Sequence, residues 1–290
     1  MSYYKALGLE KEPFSTSPDP AFFYLSKQHK AALCKLQVAV KLKRGLSVVV
    51  GDVGTGKTSL SRKFAQLLNG QDDVVFRMIL NPFFGSEKQF LSRLTKLYRV
   101  PISHEDPTEL EYIEAFERYL FERGVEQGKA IILLIDEAQM LPEYVLEVLR
   151  ILLNYETNEY KILQLILVGQ MELLPVLRNR SNFWDRISTK LLIEPLAEDE
   201  ISQIIDFRLR EAGYSSATPL FTQEAVSLAA AHTRGYPRKL ASLCHDALEY
   251  LVMHDEVVVL RETVQSLIDQ ELSPLFIDEL HEEVVAHVVG

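Results

Sequence analysis

Between residues 46 and 193, short apolar runs alternate with stretches of helical periodicity. The runs cover 47–50, 74–80, 130–135, 162–168 and 190–193, and the helical patterns fall near 57–69, 86–98, 109–127, 142–154 and 171–178. Runs that are apolar throughout mark strands covered on both faces, so the pattern predicts a mostly parallel, five-stranded sheet in a three-layer α/β domain. After Pro195 the strands stop. Helical patterns near 198–212, 222–233, 238–253 and 261–271 predict an all-helical second domain from about residue 197. Residues 26–44 read as a helix ahead of the first strand. Residues 1–25 are rich in proline and aromatics (Pro13, Phe14, Pro18, Pro20, Phe22, Phe23, Tyr24) and read as an ordered irregular segment packed on something else. The expected divisions are therefore 1–45, 46–196, 197–271 and a tail, 272–290. That tail is acidic and amphipathic (Leu275, Phe276, Leu280, Val284, Val285, Val288), a docking helix or a frayed end.

The junction of the first strand and its helix reads Gly51-Asp52-Val53-Gly54-Thr55-Gly56-Lys57-Thr58, with Ser59 next. This fits G-x-x-x-x-G-K-[ST] in the strand–helix context that the motif requires. Glycines let successive backbone N–H groups converge on a phosphate, and the new helix turns its positive dipole end to the same anion. Lys57 is expected to reach the β- and γ-phosphates and the Thr58 hydroxyl to hold Mg²⁺. The fold class expected is thus a P-loop NTPase domain with a helical lid.

Two further strand ends carry candidate chemistry. Ile131 to Ile135 runs into Asp136-Glu137, placing two carboxylates where open α/β sheets bind ligands. Asp136 is expected to complete the Mg²⁺ shell and Glu137 to act on the attacking water as general base. A glutamate in this position points to ATP, since the base-reading motif of a small GTPase is absent. Ile162 to Val168 ends in Gly169-Gln170; Gln170 is either a residue near a helix start or a hydrogen-bond partner of the γ-phosphate and the lytic water, and this company favours the second.

Composition narrows the partners. The chain has 290 residues and a net charge of -10, with a pI near 5.3, so a general nucleic-acid surface is not indicated. The segment Lys27, Lys30, Lys35, Lys41, Lys43, Arg44 is basic without an acidic residue among them: the solvated face of one helix, or a site for an anionic partner. Cys34 and Cys244, the only two cysteines, lack metal-ligand spacing and are expected to be buried thiols in a reducing compartment. Neither a signal-peptide pattern nor a membrane-length apolar run is present, so the expected location is cytoplasmic.

Together the phosphate loop, Asp136-Glu137-Ala138-Gln139 and Val168-Gly169-Gln170 resemble the Walker A, Walker B and sensor 1 elements of an AAA+ ATPase. The segment Phe14 to Pro20 followed by Tyr24-Leu25-Ser26 and His29, and Gly235-Tyr236-Pro237-Arg238 with Leu243-Cys244, are similar to the opening and the sensor 2 region of the ExeA, or general secretion pathway protein A, group, to which TniB-type transposon ATPases are related. The resemblance covers roughly residues 1–270. It implies that Arg238 senses the γ-phosphate and couples lid position to nucleotide state. It also implies an arginine supplied in trans from shortly before the fifth strand, for which Arg186 is the first choice and Arg180 the second. The adenine would rest on the segment from Pro18 to Tyr24. The group implies a homo-oligomer, a nucleotide-dependent ring or filament, and a secretion, pilus or inner-membrane partner; target selection in transposition, with DNA as partner, is the alternative. Members of the group often continue into a transmembrane helix and a periplasmic domain, so this chain is expected to be a stand-alone ATPase or the cytoplasmic part of a longer one.

Overall fold

The computed structural model describes residues 2–17, 19–102, 105–216 and 218–271. Pro18 and the tail 272–290 lie outside the described residues. The chain divides into two compact units, one of Leu25–Glu194 and one of Met1–Tyr24 with Pro195–Gly290.

The first unit holds a parallel sheet of five strands: β1 (Leu46–Gly51), β2 (Val74–Ile79), β3 (Ala130–Ile135), β4 (Leu163–Gly169) and β5 (Ile187–Ile193), in the order β2-β3-β4-β1-β5. The expected α/β fold is thus met, and β4 lies between β3 and β1. Every residue of β1 and β4 is buried, as their unbroken hydrophobicity requires. Alternate residues serve opposite faces. Val48, Val50, Leu133, Ile135, Leu165 and Leu167 point into one cluster with α4 (Glu87–Tyr98), α5 (Glu109–Phe121), α6 (Glu143–Leu152) and α7 (Leu173–Arg178). The other face is covered by α2 (Lys27–Lys41), which packs on β3 and β5, and α3 (Lys57–Leu68), which packs on β1, β2 and β4.

Helix starts follow local chemistry. Ser86 caps α4, and Thr108 with Glu111 forms a capping box at α5. The pattern near 109–127 predicts one helix, but α5 ends at Phe121 and a π turn occupies Glu122–Glu126. Gly124 explains the spot: a Cβ there would sit 2.4 Å from the Ile162 side chain. β5 begins earlier than its apolar run because it is an edge strand, with Ser188 and Lys190 exposed on either side of half-buried Thr189. A short helix, α8 (Ser181–Trp184), precedes it and has no periodicity to announce it.

The second unit contains α1 (Tyr3–Ala6), α9 (Glu198–Glu211), α10 (Gln223–Thr233), α11 (Pro237–Met253) and α12 (Arg261–Glu271), with no strand among the described residues. Leu9, Phe14 and Phe22 of the irregular N-terminal segment are buried in the same core as Ile201, Ile205, Cys244 and Leu248. Glu10 N–H donates to the Ala212 carbonyl at 2.8 Å, and one guanidinium N–H group of Arg208 reaches the carbonyls of Pro13 and Ser15 at 3.5 and 3.3 Å. Gly235, at φ 76°, could carry no side chain, since a Cβ would lie 2.2 Å from the Leu196 oxygen. Cys244 is buried as expected, whereas Cys34 is exposed, because it falls on the solvent face of α2 beside Lys30, Lys35 and Val38.

Candidate functional site

The loop from Gly51 to Lys57 leaves the C-terminal end of β1 and opens α3. Gly51 accepts no substituent: a Cβ would lie 2.2 Å from the Ile193 carbonyl oxygen. Gly54 and Gly56 have φ of 82° and 94°, the left-handed region that turns their N–H groups inward. Thr55 is fully buried and donates to the Asp52 carbonyl at 2.9 Å. Lys57 is buried too, its ammonium donating to the carbonyls of Gly51 and Asp52 at 2.8 and 2.7 Å. Burial holds its pKa below the ordinary lysine value, opposed by the nearby carboxylates of Glu137, Asp136, Asp52 and Glu172. Val53 at the tip is exposed; Thr58 and Ser59 are half-buried in the first turn of α3.

Asp136 continues the β2–β3 ladder by donating its N–H to the Ile79 carbonyl at 2.8 Å, which places its carboxylate at the strand end. That carboxylate is 1% exposed. Desolvation raises its pKa, offset by hydrogen bonds from the Thr58 hydroxyl and the Glu137 N–H. Thr58 and Asp136, on adjoining elements, thus already meet. A hydroxyl and a buried, poorly solvated carboxylate are hard oxygen donors suited to Mg²⁺. Glu137 adopts φ 53°, ψ 37°, uncommon for a residue with a side chain. Its Oε2 accepts from Gln139 Nε2 at 2.6 Å and from Gln170 Nε2 at 3.4 Å. Lys57, Thr58, Asp136, Glu137 and Gln170 therefore converge at the ends of the adjacent strands β1, β4 and β3.

Three residues at this site were not assigned a role by the sequence. Ser26 and His29 are buried at the start of α2; His29 Nε2 lies 3.1 Å from the Thr55 carbonyl and Nδ1 lies 2.7 Å from the Ser26 hydroxyl. The carbonyl can only accept, so Nε2 carries a proton, and in the neutral ring Nδ1 accepts from Ser26. The helix cap of α2 is in this way bonded to the middle of the phosphate loop. Gln139 is the third, bridging Glu137 to the backbone N–H of Gln170, which its Oε1 accepts at 3.0 Å.

The remaining expected residues make these contacts within their own units. Arg186 donates to the Arg150 carbonyl and the Asn154 side chain at 3.1 and 2.6 Å, holding the end of α6. Arg180 pairs with Glu143, whose side chain is largely exposed. Arg238 is exposed near the start of α11, with no ion pair among the described residues. Tyr24 donates to Gln203 at 2.8 Å and its ring lies 5.9 Å from that of Phe207, so within its own unit it packs on α9.

Residues 40–177 match the AAA domain family. Over 277 residues the chain is 31% identical to general secretion pathway protein A of Aeromonas hydrophila, an alignment covering 92% of this chain and 49% of that protein. The chain thus spans about half the length of the curated relative it matches. Among solved structures, it resembles the ORC2 protein of Aeropyrum pernix (TM-score 0.64, 14% identity, 90% of this chain and 71% of that one). It also resembles CDC6P of Pyrobaculum aerophilum (0.65, 18%, 85% and 67%). The RuvB Holliday junction branch migration motor of Thermotoga maritima is similar as well (0.56, 17%, 84% and 68%). At these identities the structural likenesses establish the fold.

Proposed function

We propose that this chain, an AAA-domain protein related to general secretion pathway protein A, binds ATP with Mg²⁺ and hydrolyses it to ADP and phosphate. The observation that carries this reading is the meeting of Lys57, Thr58, Asp136, Glu137 and Gln170 at three neighbouring strand ends. Backbone N–H groups of the loop cradle the phosphates, and Lys57 neutralises charge on the β and γ groups. Glu137 takes a proton from water as the water oxygen bonds to the γ-phosphorus and the bridging oxygen departs with ADP. Gln170 orients that water and the γ-phosphate. Thr58 and Asp136 would hold Mg²⁺, which would neutralise charge on the phosphate oxygens. Arg238 as γ-phosphate sensor, and Arg186 or Arg180 acting in trans within a homo-oligomer, complete the proposed set. The adenine wall formed by Pro18 and Tyr24 belongs to the same reading.

Phosphate release by the full chain, followed with and without Mg²⁺, tests it. Glu137→Gln is expected to lower kcat by about 10²–10⁴-fold while ATP still binds, the span a general base supplies. Lys57→Ala is expected to weaken nucleotide binding itself. Normal turnover by Glu137→Gln would refute the assignment of the base.

The kinship with a general secretion pathway protein favours a finer reading: ATP turnover drives assembly of an envelope secretion or pilus system, from the cytoplasmic face of the inner membrane. No helix among the described residues is long and apolar enough to cross a membrane. One observation favours the DNA-associated alternative: Lys30, Lys35, Lys41 and Arg44 are exposed together along α2 and just after it. A salt series of ATP-dependent binding to double-stranded DNA separates the two. A steep salt slope with ATP-dependent assembly supports the DNA reading, and no binding at low salt excludes it.

A further inference from the structure

Glu137 and Gln170 come from different strands, and a single side chain between them touches both. Gln139 donates from Nε2 to Glu137 Oε2 at 2.6 Å, and its Oε1 accepts the Gln170 N–H at 3.0 Å. The fit is tight: a Cβ on Gly169 would lie 2.8 Å from Gln139 Oε1 and 3.1 Å from Leu173 Cδ2. Glycine at 169 thus leaves the space that the amide occupies. Glu137 itself has left-handed backbone geometry, a conformation that costs of order 1–3 kcal/mol and persists only when its surroundings hold it. Both described donors to its carboxylate, Gln139 and Gln170, bond to Oε2. No hydrogen bond to Oε1 is made among the described residues, which leaves that oxygen to accept a proton.

We propose that Gln139 is a positioning residue that fixes the Glu137 carboxylate and ties it to the Gln170 end of β4, so that whatever Gln170 contacts is reported to the general base. This rests on the ATP-hydrolysis reading above and adds its regulation. Because the amide binds the carboxylate with its donor and the β4 backbone with its acceptor, a shift of the Gln170 backbone moves Glu137 through two hydrogen bonds. Gln139 touches no reacting atom; its effect passes through Glu137.

The experiment is a double-mutant cycle on the full chain, reading steady-state phosphate release and, separately, the affinity for a fluorescent ATP analogue. Gln139→Leu is expected to lower kcat by about tenfold or more, less than the 10²–10⁴ assigned to a general base, with KM and analogue affinity within about twofold. In a Glu137→Gln background the same change should cost little further, since interacting residues are not additive. Gln139→Glu keeps length and the acceptor for Gln170 N–H but replaces the donor with a like charge. It should be at least as slow as Gln139→Leu and guards against a fold defect confined to one variant. Equal losses from Gln139→Leu in both backgrounds, or an unchanged kcat, overturn the inference alone. A wild-type chain that turns over no faster than Glu137→Gln overturns the hydrolysis reading and the inference with it, while the analogue still reports whether nucleotide binds.

Discussion

Asp136 shows how a buried carboxylate can oppose stability. Its carboxyl, almost fully enclosed, titrates above the ordinary aspartate value because burial disfavours the anion. The folded protein therefore keeps this proton to higher pH than the unfolded chain does. The group's contribution is most favourable at acid pH and is lost as pH rises through the raised folded value. At neutral pH the native state carries the cost of a desolvated charge. Asp136→Asn is expected to raise Tm by a few degrees in Mg²⁺-free buffer at neutral pH, with the gain shrinking on acidification, and to abolish the Mg²⁺ dependence of nucleotide binding. A lower Tm at neutral pH in a thermal melt would contradict this. Lys57 runs the opposite way. Its lowered pKa means that its burial cost applies below the folded value and is relieved as pH rises from there towards the unfolded value.

At the same scale, Lys57, Thr58, Asp136, Glu137 and Gln170, which the structure brings together, each sit in a local motif that the sequence shows. Ser26, His29 and Gln139 were not legible in this way. The partners of His29 and Gln139, Thr55 and Gln170, lie 26 and 31 positions away, and a hydrogen bond to a distant backbone group leaves no spacing pattern in the chain. The glutamine stood inside the quoted Asp136-Glu137-Ala138-Gln139, but nothing in that string says which way its amide turns.

Among elements, the strands and helices of the α/β unit followed from hydrophobic period, since buried parallel strands and one-sided helices have different periods. The failures have specific causes. The π turn at Glu122–Glu126 keeps a helical polarity pattern, and only the close approach of Ile162 to Gly124 sets it apart. β5 was read short because an edge strand alternates where the central strands do not. The join of β1 to the phosphate loop permits a sharper test. Gly51→Ala would press a methyl into the Ile193 carbonyl at the end of β5. A loss of about 2–3 kcal/mol is expected from such overpacking. Urea unfolding should show it as a lower midpoint with an unchanged m-value. If the midpoint holds while nucleotide binding falls, the glycine serves the ligand and not the sheet.

For the whole molecule, the alternation of strands and helices followed by helices alone predicted both architectures. The sequence placed the first 45 residues in one group by their position in the chain. In the structure Leu9, Phe14 and Phe22 bury with the C-terminal helices, while α2 lies on the sheet. Aromatic and proline content announces that a segment will pack, but not against which partner. Arg208 gives a handle on this packing. Its guanidinium spans toward the Pro13 and Ser15 carbonyls, its Nε is buried without a partner, and desolvation lowers its pKa. Arg208→Met keeps the bulk and removes both bonds. Trypsin is expected to cleave after Lys11 faster in this variant than in the wild type, with the α/β unit left intact. Equal cleavage rates would mean that the apolar anchors alone hold the segment.

The route of the chain through the two units carries a consequence for biosynthesis. The helical unit is built from both ends of the described sequence, with Leu25–Glu194 threaded between them. A ribosome releasing this protein exposes Leu9, Phe14 and Phe22 before Leu25–Glu194 and the helices that bury them after it. For the time needed to make everything from Leu25 to Glu194, those apolar side chains wait for the helices that cover them. The nascent chain must therefore protect this apolar segment until translation reaches α9 and beyond, and a ribosome that stalls before that point leaves it uncovered.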